Sequence, residues 1–371
     1  MDTLIENAIA RHKETEGKTN AGPGGEDAEL EELLKSITLT IKVVGCGGGG
    51  SNTITRLMED GVRGAELVAC NTDAVHLHRV HANKKILLGK NTTRGLGAGA
   101  IPQVGEKSAR EAEADLRKVV EHADIVFITC GLGGGTGTGA APVVAQLAKE
   151  AGALTIVFAT KPFQAEGKSR QDNSDHGLNR LRSNADTVVT IPNDKLLEMV
   201  PNLPLNAAFH VVDELLNHSI KGLIEMVTKP GLVNLDYNDL RTVMSHAGIA
   251  VVGVGESESS EKSGKRAREA VDAAVQSPLL EYDVSQASGV LVKVTGGPDM
   301  TLQEAQEVAS LIGERVGSNA RIIWGAAIEP DYQGKISVMV VLTGVTGEEL
   351  TGAREAVPEA SGGRVGIDSV H

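Results

Sequence analysis

The chain has 371 residues and a net charge of −13, long enough for two domains with cores of their own and too acidic for nucleic acid or an anionic membrane surface to be its main partner. It carries no signal-peptide pattern and no apolar run approaching the roughly 20 residues that span a bilayer, so it reads as a soluble cytoplasmic protein with no direct membrane insertion. Three cysteines, Cys46, Cys70 and Cys130, are spaced too widely for a zinc site or redox pair and each ends an apolar run, which suits small core residues in a reducing compartment.

Residues 1–37 form an extension in which "TEGKTNAGPGGED" separates two short Leu/Ile-bearing pieces, predicting a frayed helix, a flexible linker and a second helix over 26–37. Nine acids against four bases in residues 1–36, and five against two in 346–371, put −8 of the charge at the two ends and leave the body mildly acidic. From residue 38, apolar β-branched runs at 38–44, 66–70, 85–88, 125–129, 154–159 and 187–191 alternate with helical patterns, the signature of a parallel sheet covered on both faces. The fold class is α/β: a doubly wound, parallel-sheet nucleotide-binding domain over 38–204, a long central helix over 205–228, and a second, smaller α/β domain over 229–345. In that second domain, runs at 249–254, 289–294, 321–328 and 335–342 predict four strands, and the last two, separated only by "EPDYQG", predict an antiparallel hairpin. The tail, 346–371, is polar, rich in glycine and small residues, and reads as disordered.

Three glycine clusters follow the first, third and fourth strands: "GCGGGGSN" at 45–52, "RGLGAGA" at 94–100 and "GLGGGTGTG" at 131–139. Each alone is explained as well by positive φ or tight packing as by a ligand. Three on one edge of a doubly wound sheet suit a nucleoside triphosphate with a metal ion, because backbone N–H groups and helix N-termini converge there on anions. Gly45, Gly47 and Gly50 also fit G-x-G-x-x-G, with Asp73 near the place of a ribose-binding acid, as in an NAD-dependent oxidoreductase. That reading leaves 131–139 unexplained. A phosphate-binding loop of the G-x-x-x-x-G-K-S kind fails, since Pro162 stands where its leading glycine belongs.

Three further sets have two readings each. Glu166 and Arg170, four apart on a predicted helix, suit a surface ion pair worth about 0.3–0.5 kcal/mol. Phe209 and Asp213, also four apart, suit a core ring beside a solvated acid. Asn234, Asp236 and Asp239 open the helix after the long one, where Asp236 suits an N-cap and a second acid favours the dipole.

Taken in order, "NTD" at 71–73, "GLGAGA" at 95–100, "GGGTGTG" at 133–139 and "VNLDYNDL" at 233–240 resemble the tubulin/FtsZ family of GTPases, over about residues 39–345 and with archaeal character. The resemblance implies a GTPase that polymerises head to tail into protofilaments of the cell-division ring. It implies that Gly134, Gly135, Thr136 and Gly137 hold the GTP phosphates, that Gly47, Gly48 and Gly49 approach the α- and β-phosphates with Asn52 nearby, and that Asp73, Ala98 and Gly99 lie near the γ-phosphate and its Mg²⁺. Glu166 and Arg170 then contact ribose and guanine, Phe209 stacks on the purine, Asp213 accepts from its N1–H and 2-amino group, and Asn193 adds a ribose or base-edge contact. The loop of Asn234, Asp236 and Asp239 completes the nucleotide site of the neighbouring subunit, which argues against a nucleotide-binding relative with little turnover. No side chain is expected to form a dedicated metal site. Val365, Ile367 and Val370, after a glycine hinge, suggest a peptide that docks on a membrane-tethering division partner.

Overall fold

A computed structural model describes residues 39–199, 205–229, 233, 236–245, 247–258, 265–280, 284–317 and 319–345. The helices expected in the N-terminal extension, the tail with its apolar peptide, and Asn234 lie outside the described residues.

The first half alternates strands and helices: β1 (Ile41–Cys46), α1 (Gly47–Glu59), β2 (Ala65–Asn71), α2 (Ala74–Arg79), β3 (Lys84–Leu87), α3 (Pro102–Glu111), α4 (Glu113–Val120), β4 (Ile125–Gly131), α5 (Thr136–Glu150), β5 (Leu154–Lys161), α6 (Lys168–Asn184), β6 (Thr187–Pro192) and α7 (Asn193–Met199). After the long α8 (Leu205–Thr228) come α9 (Tyr237–Met244), β7 (Gly248–Ser257), α10 (Lys265–Val275), β8 (Gly289–Gly296), α11 (Leu302–Gly313), β9 (Arg321–Ile328) and β10 (Ile336–Thr343). The first strand runs further than expected, through Gly45 and Cys46, because both neighbours extend to the same level: Cys46 pairs in register with Cys70 and with Cys130. All three thiols are free and buried, and burial pushes Cys70 and Cys130 up to about 12 and Cys46 upward as well, so they are inert core residues.

The strands form one ten-stranded sheet in the order β3-β2-β1-β4-β5-β6-β7-β10-β8-β9. Seven of its pairings are parallel, and β10 alone runs antiparallel, between β7 and β8. The first six strands follow doubly wound order, reversing direction across β1 and β4. One face buries Val44, Val68, Val126, Ile128 and Val157 beneath the apolar side of α5, including Ala140, Val143, Val144 and Leu147. Short side chains on α5 let the helix lie close to the strands. A second core gathers β7, β8 and β10 against α10 and α11.

The expected β9–β10 hairpin does not form. Every residue of β10 is buried, whereas β9 begins at an exposed Arg321 and is only partly covered, so the strand without a charge takes the sheet interior and the one that opens on a charge takes its edge. The linking turn crosses the end of β8, where Glu329 N–H donates to Gly296 O (2.9 Å). Gly297 permits the crossing: a Cβ there would stand 2.6 Å from Gln333 Cα and from Tyr332 O.

Helix α8 spans the two halves. On one side it packs against α1, and Arg56 pairs with Glu214 (2.9 Å). On the other, Glu225 is buried against β8, accepting from Lys293 (2.9 Å) and Lys229 (2.7 Å). Burial acts to raise the Glu225 pKa, but Lys293 and Lys229 overcome it and hold the carboxyl below its ordinary range.

Candidate active site

At the carboxyl end of β1 the chain turns directly into α1, and at that of β4 it passes through residues 132–135 into α5, the two helices starting side by side at the point where strand order reverses. No side chain caps either helix, so the N–H groups of both first turns remain available to an anion in the cleft between them.

The glycines there divide by cause. Gly47 (φ 76°) and Gly133 (φ 93°) occupy left-handed backbone. Gly135 is a packing glycine, since a Cβ would meet Ala98 Cβ at 2.8 Å, and so is Gly137, where it would strike Gly131 O. Gly48 and Gly134 need neither explanation: their φ is not positive and a Cβ would meet nothing within 4 Å. Both line a cleft of about 460 Å³, so bare backbone at these two positions serves whatever the cleft holds.

The cleft brings together Gly48, Gly49, Asn52, Gly134, Gly135, Thr136, Gly137, Glu166, Arg170, Asn193, Phe209 and Asp213. Strand-end residues Thr129, Thr160 and Pro162 also line it; these were missed in the sequence, although their place at the carboxyl edge of β4 and β5 was a usable signal. Gly47, Asp73, Ala98 and Gly99 stand outside its lining. Ala98 is buried beneath Gly135, and Asp73 caps α2, accepting from His76 N–H at 2.9 Å. The loop at 94–100 is zipped to this segment: Ala74 N–H donates to Gly95 O (3.0 Å) and Gly97 N–H to Thr72 O (3.1 Å). Thr72, fully buried, shares a 2.6 Å hydrogen bond between its hydroxyl and that of Thr136 at the start of α5.

Among the described residues no cluster of three or more His, Cys, Asp or Glu is arranged to hold a metal. That donor set suits Mg²⁺ only as an ion arriving with a triphosphate and keeping mainly phosphate and water oxygens, its usual habit.

At the far end, Glu166 and Arg170 do not share a helix. Gly167 (φ 96°) breaks the chain between a 3₁₀ turn, Gln164–Glu166, and α6, yet the ion pair still closes at 2.6 Å. The other Glu166 oxygen accepts from Phe163 N–H (3.0 Å). Phe209 is 41% exposed, so it is no core ring; buried Phe163 meets it edge-on at 5.1 Å between centroids, fixing it beside the cleft. Asp213 is partly buried rather than solvated, and burial pushes its pKa up to about 6 against the opposing charges of His210 and Arg56. Asn193 is buried with Oδ1 lacking any partner, a costly arrangement unless a ligand supplies a donor.

Asp236 and Asp239 are nowhere near this cleft. Asp236 caps α9, accepting from Asn238 N–H (3.3 Å), and Asp239 stands exposed in the first turn beside an open groove lined by Thr242, Arg321 and Trp324. That turn touches the amino end of β4, where Tyr237 donates to Asp124 O (3.2 Å). The glycine-rich loop before α5 leaves the carboxyl end of the same seven-residue strand, which at about 3.3 Å per residue is roughly 23 Å away.

A sequence profile described as the GTPase domain of the Tubulin/FtsZ family matches residues 40–201, and one described as the C-terminal domain of the FtsZ family matches residues 248–346. Cell division protein FtsZ 1 of Archaeoglobus fulgidus is 51% identical over 372 residues, covering 100% of this chain and 99% of its own. Cell division protein FtsZ of Methanothermobacter thermautotrophicus is 51% identical over 351 residues, covering 94% and 91%. A solved M. jannaschii FtsZ, described as an empty dimer, matches with a TM-score of 0.82 at 51% identity over 87% of this chain and 93% of that one.

Proposed function

Because the chain belongs to the tubulin/FtsZ family of GTPases, we propose that it hydrolyses GTP at a site that two copies build together, head to tail. It is a GTPase and a cell-division protein of the FtsZ kind. The relatives bearing that name are archaeal, as the sequence led us to expect.

In this reading the triphosphate lies across Gly48, Gly49 and 134–137. Uncapped N–H groups of α1 and α5 take its charge, and Gly48 and Gly134 let it approach the backbone. Gly47 and Ala98 act from behind, one by its turn and the other by packing, while Asp73 and Gly99 flank the γ-phosphate side. Mg²⁺, held by phosphate and water oxygens, would offset the phosphate charge when bound. Phe209 stacks on guanine, Asp213 accepts from its N1–H and 2-amino donors, Asn193 uses its unpartnered oxygen, and the Glu166–Arg170 pair faces the sugar.

A water must then attack the γ-phosphorus as the bond to the bridging oxygen breaks, giving GDP and phosphate. Among the described residues lining the cleft, the two carboxylates, Glu166 and Asp213, are taken up by the sugar and the base in this reading, which leaves none to act as the base for that water. The single observation that carries the shared-site reading is the length of β4: Asp236 and Asp239 stand at one end and the phosphate loop at the other, so the acids serve the nucleotide of the next copy. Asn234 joins them by sequence position. The assembled filament works at the mid-cell division site in the cytoplasm, and the tail reaches a membrane-tethering division partner.

Specific GTPase activity therefore rises with protein concentration and falls silent on dilution below assembly. Activity per chain that stays constant from nanomolar to micromolar protein, while sedimentation shows filaments only at the upper end, would falsify the shared site.

A further inference from the structure

We infer that Tyr237 is a positioning residue for the acids that one copy lends the next, an inference that rests on the shared-site reading above. Tyr237 lies between Asp236 and Asp239 in the first turn of α9, where residues 236, 238, 239 and 241 are exposed and only Leu240 is buried. The other end of the helix is secured: Val243 and Met244 are buried, and Thr187 Oγ1 donates to Met244 O. Among the described residues, one hydrogen bond leaves the first turn for the body of the chain, from Tyr237 OH to Asp124 O at 3.2 Å.

The direction of that bond is fixed. Arg241, one turn on, donates Nη1–H to the same hydroxyl at 2.9 Å, so the phenol oxygen accepts there and its single proton goes to Asp124 O. The guanidinium stands 6.0 Å from the ring centroid, adding a cation–π contact that holds the ring's pose.

The anchor itself is rigid. Asp124 O also accepts from Leu154 N–H (2.9 Å), Asp124 N–H donates to Thr40 O (2.9 Å), and its carboxylate accepts from Thr40 N–H (2.8 Å), which ties the spot to β1 and β5 together. A subunit's loaned acids are thus registered against the strand whose opposite end carries its own phosphate loop. Displacement of a catalytic group by about 1 Å can lower a rate by two orders of magnitude, so one such bond on an otherwise exposed turn matters to turnover.

Tyr237→Phe removes only the hydroxyl. At concentrations well above assembly, we expect kcat per assembled chain to fall about 5- to 20-fold, with KM for GTP, the sedimentable fraction and the GTP affinity of dilute protein all within about twofold of wild type. Arg241→Leu keeps the tyrosine bond but loosens the ring, and should lower the same parameter by a smaller factor. A kcat within twofold of wild type for Tyr237→Phe overturns the role, and so does a fall matched by equal loss of GTP affinity, of assembly or of thermal stability, since the residue would then be structural. Wild-type protein run in parallel keeps the two ideas apart: activity that survives dilution sinks the shared site, whereas dilution-sensitive activity with an unimpaired Tyr237→Phe sinks only the positioning of the acids.

Discussion

Asp213→Asn is the substitution whose consequences differ most in sign between two assays. In the nucleotide-free chain the carboxylate is partly buried in the cleft, and burial lifts its pKa to about 6. A carboxyl whose folded pKa exceeds its unfolded value near 3.9 binds its proton more tightly when folded, so folding stability falls as pH rises between those values and stays reduced above about 6. The shift of roughly two units would correspond to about 3 kcal/mol at most. Partial exposure screens the group and reduces this to about 1 kcal/mol. The neutral amide escapes this cost, so Asp213→Asn should raise the urea midpoint of nucleotide-free protein at pH 7.5 and flatten its pH dependence between 4 and 6. GTP binding moves the other way. Guanine offers two donors to a charged acceptor, and replacing that acceptor by an amide should weaken GTP by about 1.5–3 kcal/mol, or roughly 10- to 150-fold. Wild-type affinity should also fall by up to tenfold per pH unit below about 6, relative to the variant, which serves as reference for protonation of the γ-phosphate itself. Fluorescent-nucleotide titration of dilute protein with GTP and ATP as competitors, run beside urea melts, measures both. An unchanged preference for GTP over ATP, or a variant less stable than wild type, refutes the assignment.

Gly134→Val should leave the folding stability within about 0.5 kcal/mol of wild type yet abolish GTP binding, because its Cβ meets nothing in the protein, whereas Gly137→Val should destabilise the fold against Gly131 O; thermal melts and nucleotide titration separate them. Asp239→Ala should bind GTP, assemble and hydrolyse poorly, and mixing it with Gly134→Val should restore phosphate release if the two cosediment; mixtures at background would argue for a base within one chain. Glu225→Gln should cost about 3–5 kcal/mol by leaving Lys293 buried and unpaired, and Glu225→Leu with Lys293→Met should recover most of it, as urea melts will show. Phe209→Leu should weaken GTP and ATP alike, since stacking does not distinguish purines; a selective loss of one would contradict stacking.

Periodicity located nearly every strand and long helix, because runs such as 125–129 are apolar enough to be buried on both faces wherever they fall in the sheet. It could not order the strands. A six-residue link between β9 and β10 looks like a hairpin until the burial of each strand is known, and only then does β10, buried throughout, take an interior place. The glycine clusters were legible as an anion site but not glycine by glycine, since backbone dihedrals and neighbouring atoms separate Gly48 and Gly134 from Gly135 and Gly137. Spacing placed Glu166 and Arg170 on one helix, and the positive φ of Gly167 was the element it could not supply. Nothing in "LDYND" shows that the tyrosine between the two acids grips a strand more than a hundred residues earlier in the chain.

The join between β6 and β7 has a mechanical consequence. Only three register pairs, Thr187↔Gly248, Val188↔Ile249 and Val189↔Ala250, connect the two halves of the sheet, whereas β7 and β8 each share eight pairs with β10. A plate bends where it is narrowest. Load passed lengthwise through a row of such subunits concentrates at this waist, with α8 beside it as a strut clamped at one end by Arg56–Glu214 and at the other by Glu225–Lys293. Bending within a subunit of such a row would draw on these three rungs, on α8, and on the bonds from Tyr237 to Asp124 and from Thr187 to Met244 that cross the same join, and it would leave the core of each half intact.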